Sequence, residues 1–216
     1  MSEDFPIEIY LPEAYNSGNK ELPVLYLTDG LHLLTEMNLL RIDAIVVAVG
    51  DKLDGPRSKD FKVNCNGNTT NYYKFISDEL VSHVDSLYDN NKSRSLIGYS
   101  AGGTFVLHAL FQENPSNLIF NNYIIVDPGF SCNSTELATL FEAFNEKSNS
   151  SDVAIKLFRT RSGDNSSIWL NDLLIERSAK YSWLSFSHKV FLDETHQTVV
   201  GPSFYDGLSY IFGIVF

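Results

Sequence analysis

The residues of this 216-residue chain best suited to chemistry begin at Gly98-Tyr99-Ser100-Ala101-Gly102. The serine stands between an apolar run, Ser95-Leu96-Ile97, and a stretch from Thr104 to Leu110 with apolar residues at helical spacing. Strand, sharp turn and helix therefore follow in the order that presents a nucleophile. A serine at such an elbow takes a sparsely populated backbone conformation and needs small neighbours two positions before and after it, which Gly98 and Gly102 supply. A hydroxyl is a weak nucleophile at neutral pH, so the chemistry also requires a base and a group that orients the base.

Five histidines are available. In a parallel sheet the ligand-facing loops lie at the carboxyl ends of the strands. Lys189-Val190-Phe191-Leu192 reads as a strand, with His188 at its amino end and His196 just past its carboxyl end, so His196 is the expected base. His108, eight residues into the helix after Ser100, reads as a packed or partly exposed helix residue, and His83 has the same character. His32 follows Asp29-Gly30-Leu31 and could line a pocket, but it precedes Ser100, against the expected order of nucleophile, acid and base.

Asp164 is the expected orienting carboxylate: it follows a strand over 153–158 extended by Arg159-Thr160, in the loop Arg161-Ser162-Gly163-Asp164-Asn165. Asp127 competes, because it ends the apolar strand Tyr123-Ile124-Ile125-Val126 and is turned by Pro128-Gly129. A Ser100–His196 dyad is the third arrangement. Attack on a carbonyl needs two donors aimed at the nascent oxyanion. The expected pair is the main-chain N–H of Ala101, at the start of the elbow helix, and that of Leu31, in the glycine-assisted turn after Pro23-Val24-Leu25-Tyr26-Leu27.

The elements that must position these groups alternate between strand and helix. Strands are expected at 7–11, 24–27, 44–49, 95–97, 123–126, 153–158 and 189–192, and helices at 32–40, 72–87, 104–110, 136–144, 167–180 and 202–211. Tyr72, Ile76, Leu80, Val84 and Leu87 mark one apolar helix face. Such βα repetition predicts an α/β fold with a mostly parallel central sheet and helices on both faces. The loop 50–71 is long for a compact domain, which suits a cover over the site, and 145–152 reads as a polar linker. With 44% hydrophobic residues the chain has enough apolar surface for one domain over 1–216.

This chain resembles the esterase family that includes esterase D, the enterochelin esterases and the mycolyltransferases of the antigen 85 group. The resemblance runs through Ile9-Tyr10-Leu11-Pro12-Glu13-Ala14-Tyr15, Leu22 to Gly30, Arg57-Ser58-Lys59-Asp60-Phe61, Arg94 to Gly103, and His196-Gln197-Thr198-Val199 with Gly207-Leu208. It implies an α/β-hydrolase fold, acyl-ester chemistry on a small molecule without a cofactor or metal, a nucleophile at Ser100, a base at His196 and oxyanion N–H groups at Leu31 and Ala101. It also implies a substrate-side role for Arg57. Three positions depart from the family pattern: Tyr99 stands where His is common, Asp127-Pro128-Gly129 replaces Ser-Pro-Ser, and Ser166 occupies the place where the acid often falls. The same residues would serve an acyltransferase, or be retained in a silent binding protein of this fold.

The net charge of −11 argues against a nucleic-acid partner, whose phosphates would be repelled. Lys52, Arg57, Lys59 and Lys62 relieve that balance in one loop. The segment Met1-Ser2-Glu3-Asp4-Phe5 carries no basic, apolar leader, and no run suits a membrane span. Cys65 and Cys132 are far apart and outside any ligand spacing. Reduced thiols and a cytoplasmic location are the expectation.

Overall fold

Residues buried on both sheet faces explain why the central strands read as unbroken apolar runs. The computed structural model describes residues 4–28, 30, 33–34, 42–50, 69–129, 134–148, 152–165 and 167–213. Its elements are β1 (Ile7–Tyr10), α1 (Glu13–Asn16), β2 (Val24–Leu27), β3 (Ile45–Val49), α2 (Thr69–Lys74), a π-helical segment (Phe75–Leu80) and α3 (Val81–Leu87). There follow β4 (Arg94–Tyr99), α4 (Ala101–Gln112), β5 (Asn122–Val126), α5 (Ser134–Ser148), β6 (Ile155–Ser162), α6 (Ile168–Lys180), β7 (Leu184–Phe191) and α7 (Val200–Phe212). The strands form one sheet in the order β1-β3-β2-β4-β5-β6-β7, parallel except for β1, which runs antiparallel to β3 at an edge.

Alternate residues of each strand feed two cores. Val24, Tyr26, Leu96, Tyr123 and Ile125 pack with Tyr72, Phe105, Leu107 and Phe141 on one face. Leu25, Leu27, Ile97, Ile124 and Val126 pack with Phe204, Leu208 and Ile211 of α7 on the other. This is the α/β-hydrolase fold, with helices on both faces of a mostly parallel sheet. The chain runs outward from β2 to β3 and then crosses back to place β4 on the other side of β2. The strand order therefore reverses between β2 and β4, the place at which open α/β sheets set their ligand-facing loops.

Several boundaries differ from the sequence expectation. β6 extends to Ser162, because all eight of its positions pair with β7 in parallel register. For the same reason β7 begins at Leu184, so His188 lies inside the strand opposite Arg159, stacked on Phe186, and not at its amino end. α5 continues to Ser148 and takes up half of the expected linker. The π-helical turn shifts the apolar face of the helix before β4, leaving Leu87 55% exposed while Tyr88 packs edge-on against Tyr15. Most of the expected helix at 32–40, the loop 51–68 with Arg57, and both cysteines lie outside the described residues. Among the described residues no helix is long and apolar enough to cross a membrane.

His108 is buried in α4, and desolvation holds its imidazole down at about 4. Its folded value lies below its unfolded one, so the unfolded chain takes up the proton first. The stability this group confers is present above about pH 6.5 and is lost as the pH falls toward 4. Glu113, raised to about 6 by burial, acts in the opposite sense over its own range. The difference in urea-unfolding free energy between the parent and His108→Gln isolates the histidine, and it is expected to shift in favour of the variant as the pH is lowered through this window. A difference that does not vary with pH would rule out a neutral, buried imidazole.

Candidate active site

Three loops at the carboxyl edge of the sheet bring together side chains far apart in sequence. Ser100 follows β4 and caps α4 with φ 56° and ψ −119°, a conformation that side-chain-bearing residues rarely adopt. Its N–H donates to Val126 O (2.9 Å) and its carbonyl accepts from Gly129 N–H (3.3 Å), which ties the elbow to the exit of β5. Gly98 has no room for a side chain: a Cβ there would collide with the Gly102 carbonyl and come within 2.7 Å of Thr28 Oγ1. A glycine two residues before the serine is thus required by close backbone approach to Gly102.

His196 follows β7 in a turn held by mutual bonds between Thr195 and Thr198. Its Nε2 lies 3.0 Å from Ser100 Oγ and its Nδ1 lies 2.5 Å from Asp127 Oδ2. Tyr99 fixes the loop from below: its hydroxyl donates to the His196 carbonyl (2.7 Å), and its ring stacks on the imidazole with centroids 4.7 Å apart. The residue that departs from the family pattern therefore holds His196 at both its main-chain carbonyl and its ring, contacts of Tyr99 that sequence reasoning missed.

The carboxylate on the imidazole is Asp127, and this corrects the assignment of Asp164. Asp127 sits at the end of β5, the strand next to β4, with φ 42° and no exposed side-chain surface. Ser162 N–H (2.7 Å) and Asn165 Nδ2 (2.8 Å) donate to its Oδ1, and the Ser162 hydroxyl lies 2.8 Å from its Oδ2. Asp164 is displaced because β6 runs two residues further than expected, so the turn starts at Gly163 and carries Asp164 out to solvent. The Ser162 hydroxyl, 2.6 Å from Asp164 Oδ1, holds that carboxyl below the usual range, helped by the His196 main-chain N–H. Asp164 thus meets the histidine at its backbone and not at its ring.

Ala101 opens α4, where a helix offers its first N–H groups no internal acceptor. Leu31 and Arg57 lie outside the described residues, as does His32. Gly30, just before Leu31, packs so tightly on β3 that a Cβ would stand 2.5 Å from the main chain of Ala48 and Val49. Among the described residues no group of His, Cys, Asp and Glu could hold a metal ion. The arrangement is a hydroxyl, an imidazole and a buried carboxylate in series, able to move one proton toward and away from Ser100.

Comparison with known proteins agrees with this architecture. The family model described as Putative esterase matches residues 1–119. No curated sequence gave a significant match. Among solved structures, the chain is similar to an IroE-like serine hydrolase from Shewanella oneidensis (22% identity, TM-score 0.78, covering 97% of this chain and 80% of that one). It is likewise similar to BES protein from Bacillus cereus (24%, 0.80, 97% and 94%) and to siderophore hydrolase EstA from Aspergillus nidulans (21%, 0.78, 97% and 90%).

A short imidazole–carboxylate bond deshields the shared proton, so the parent protein should give a far-downfield Nδ1–H resonance in proton NMR. Asp127→Asn is expected to abolish that signal and Asp164→Asn to retain it. The reverse pattern would return the carboxylate to Asp164.

Proposed function

This chain belongs to the Putative esterase family, a family of hydrolases, and from that premise we propose that it cleaves small-molecule carboxylic esters through an acyl-enzyme on Ser100. The observation that carries the reading is the series Ser100 Oγ, His196 Nε2, His196 Nδ1 and Asp127 Oδ2, with links of 3.0 and 2.5 Å. Ser100 Oγ attacks the ester carbonyl while His196 Nε2 takes its proton. Asp127 stabilises the imidazolium and keeps the other ring nitrogen protonated. The tetrahedral oxyanion is received by the Ala101 N–H and, on the sequence reading, by that of Leu31. Collapse breaks the C–O bond as His196 returns the proton to the leaving alcohol. Water then attacks the acyl-enzyme by the same route and regenerates Ser100.

The strained φ of Ser100 supports the assignment, since such backbone is retained where surrounding structure holds a reactive group in place. Its neighbour Asp127 shares this feature. No cofactor enters these steps, and one catalytic domain over 1–216 accounts for all of them. Arg57 is proposed as a substrate-side residue on the family resemblance. EstA carries the name siderophore hydrolase. For this chain, the net charge of −11 opposes a strongly anionic ferric chelate and favours less charged esters.

A panel of p-nitrophenyl esters of increasing acyl length tests the reading. Ser100→Ala is expected to keep its fold and lose hydrolysis by at least about 10³-fold, and retained turnover would refute the acyl-enzyme. Asp127→Asn is expected to lower kcat by roughly 10⁴-fold, because the amide misorients the imidazole and cannot stabilise its cation. Asp164→Asn should stay within about 10-fold of the parent. Comparable small losses in both variants would indicate a Ser100–His196 dyad.

A further inference from the structure

A cation without an adjacent anion lies beneath this site. Arg159, in β6, is fully buried, yet among the described residues it forms no ion pair: its guanidinium donates to Asn171 Oδ1, to Ser167 O (2.9 Å) and to Ser167 Oγ (2.6 Å). Leaving a charge buried among neutral groups is costly, so its position calls for a compensating anion. The buried anion that acts on it is Asp127.

The two charges are joined by hydrogen bonds whose direction is determined by chemistry. Arg159 can only donate, so Ser167 Oγ accepts from it and has its own proton free for Asn165 Oδ1, 2.6 Å away. The Ser167 main-chain N–H also donates to Asn165 Oδ1 (2.8 Å), which identifies that end of the amide as the oxygen. The other end must then be the NH₂. It lies against two acceptors, Pro128 O (3.1 Å) and Asp127 Oδ1 (2.8 Å). Every link therefore delivers donor character toward Asp127.

We propose that Arg159, Ser167 and Asn165 form a one-way chain of donors that holds and polarises the Asp127 carboxylate, making Arg159 and Asn165 positioning residues for His196. The proposal rests on the reading of Ser100, His196 and Asp127 given above. The chain draws negative charge toward Oδ1, away from Oδ2, where the imidazole sits, and prevents the carboxylate from rotating. Burial holds the Arg159 guanidinium down at about 10, so it still carries its charge at neutral pH. Among the described residues, Asp164 meets the His196 main chain, Tyr99 stacks on the ring, and Arg161 donates to the Ser162 and Asn165 carbonyls and opposes the Arg159 charge. None of them lies within the chain.

The test is an NMR titration of the His196 ring in the whole protein, its signal assigned by its loss in His196→Gln. Arg159→Met removes a cation and concentrates charge on Oδ2, both of which favour the imidazolium, so the midpoint should rise by about half a pH unit. Asn165→Ala should raise it too, and lower kcat on p-nitrophenyl esters about 10-fold with KM within about twofold. With Asn165 already alanine, the further rise from Arg159→Met should shrink to less than half, the remainder being the direct field of the lost cation. If Arg159→Met does not fold, Ser167→Ala decides the matter through a smaller rise in the same direction. A midpoint that stays put while thermal stability drops would mean a merely structural role and overturn the proposal. An equal rise with and without Asn165 would replace the chain by a direct field and overturn it as well. The titration uses no substrate, so turnover surviving in Ser100→Ala would sink the acyl-enzyme reading while the chain is still judged on the midpoint.

Discussion

A carboxylate with no exposed surface must receive from the protein the hydrogen bonds that water would otherwise supply, and Asp127 draws its donors from three separate parts of the chain. Ser162 at the end of β6 lies against both of its oxygens, Asn165 in the following turn donates to one, and His196 after β7 meets the other. The loops after β5, β6 and β7 are thereby locked to one another through a single side chain. Ser162 has one hydroxyl proton and two carboxylates within reach, Asp127 at 2.8 Å and Asp164 at 2.6 Å. Its main-chain N–H serves Asp127 alone, which helps keep the buried carboxylate satisfied when the hydroxyl turns outward.

The serine side of the site depends on a different constraint, close approach of backbone. Ser100 is held at positive φ by bonds from its N–H and carbonyl to the exit of β5, the same exit that carries Asp127. Thr104 reinforces this junction by donating to the Gly129 carbonyl at 2.7 Å. Ser100 and Asp127 thus follow adjacent parallel strands joined by a short network of main-chain bonds. His196 comes from beyond the sheet edge and is secured by Tyr99. The Tyr99 hydroxyl is anchored to the His196 carbonyl, and the ring limits tilting of the imidazole, so both main chain and side chain of the histidine are constrained. With its side chain 35% exposed, the imidazole remains reachable from solvent.

The sequence by itself determined the fold class, which is encoded by local pattern, and singled out Ser100 and His196, the two side chains that the fold sets 3.0 Å apart. Apolar runs alternating with amphipathic stretches specify buried parallel strands and their helices, and Gly98 and Gly102 around Ser100 mark the elbow between strand and helix. His196 is legible because it follows the last strand. Its exact strand was less so: β7 begins five residues before the expected start, since pairing along β6, and not intrinsic preference, extends it. Which carboxylate meets the imidazole was decided by tertiary structure alone. Asp127 and Asp164 have equivalent local addresses, each just past the carboxyl end of a strand. Which one reaches the imidazole depends on strand order and on where the β6–β7 register ends. β5 lies directly beside β4, and extension of β6 to Ser162 carries Asp164 out to solvent while turning Ser162 and Asn165 inward as donors. Arg159, Asn165 and Tyr99 gave no sequence signal for the same reason: their roles consist of directed contacts with residues 37 to 97 positions away or with partners in the next turn, and such geometry exists only once the sheet has formed.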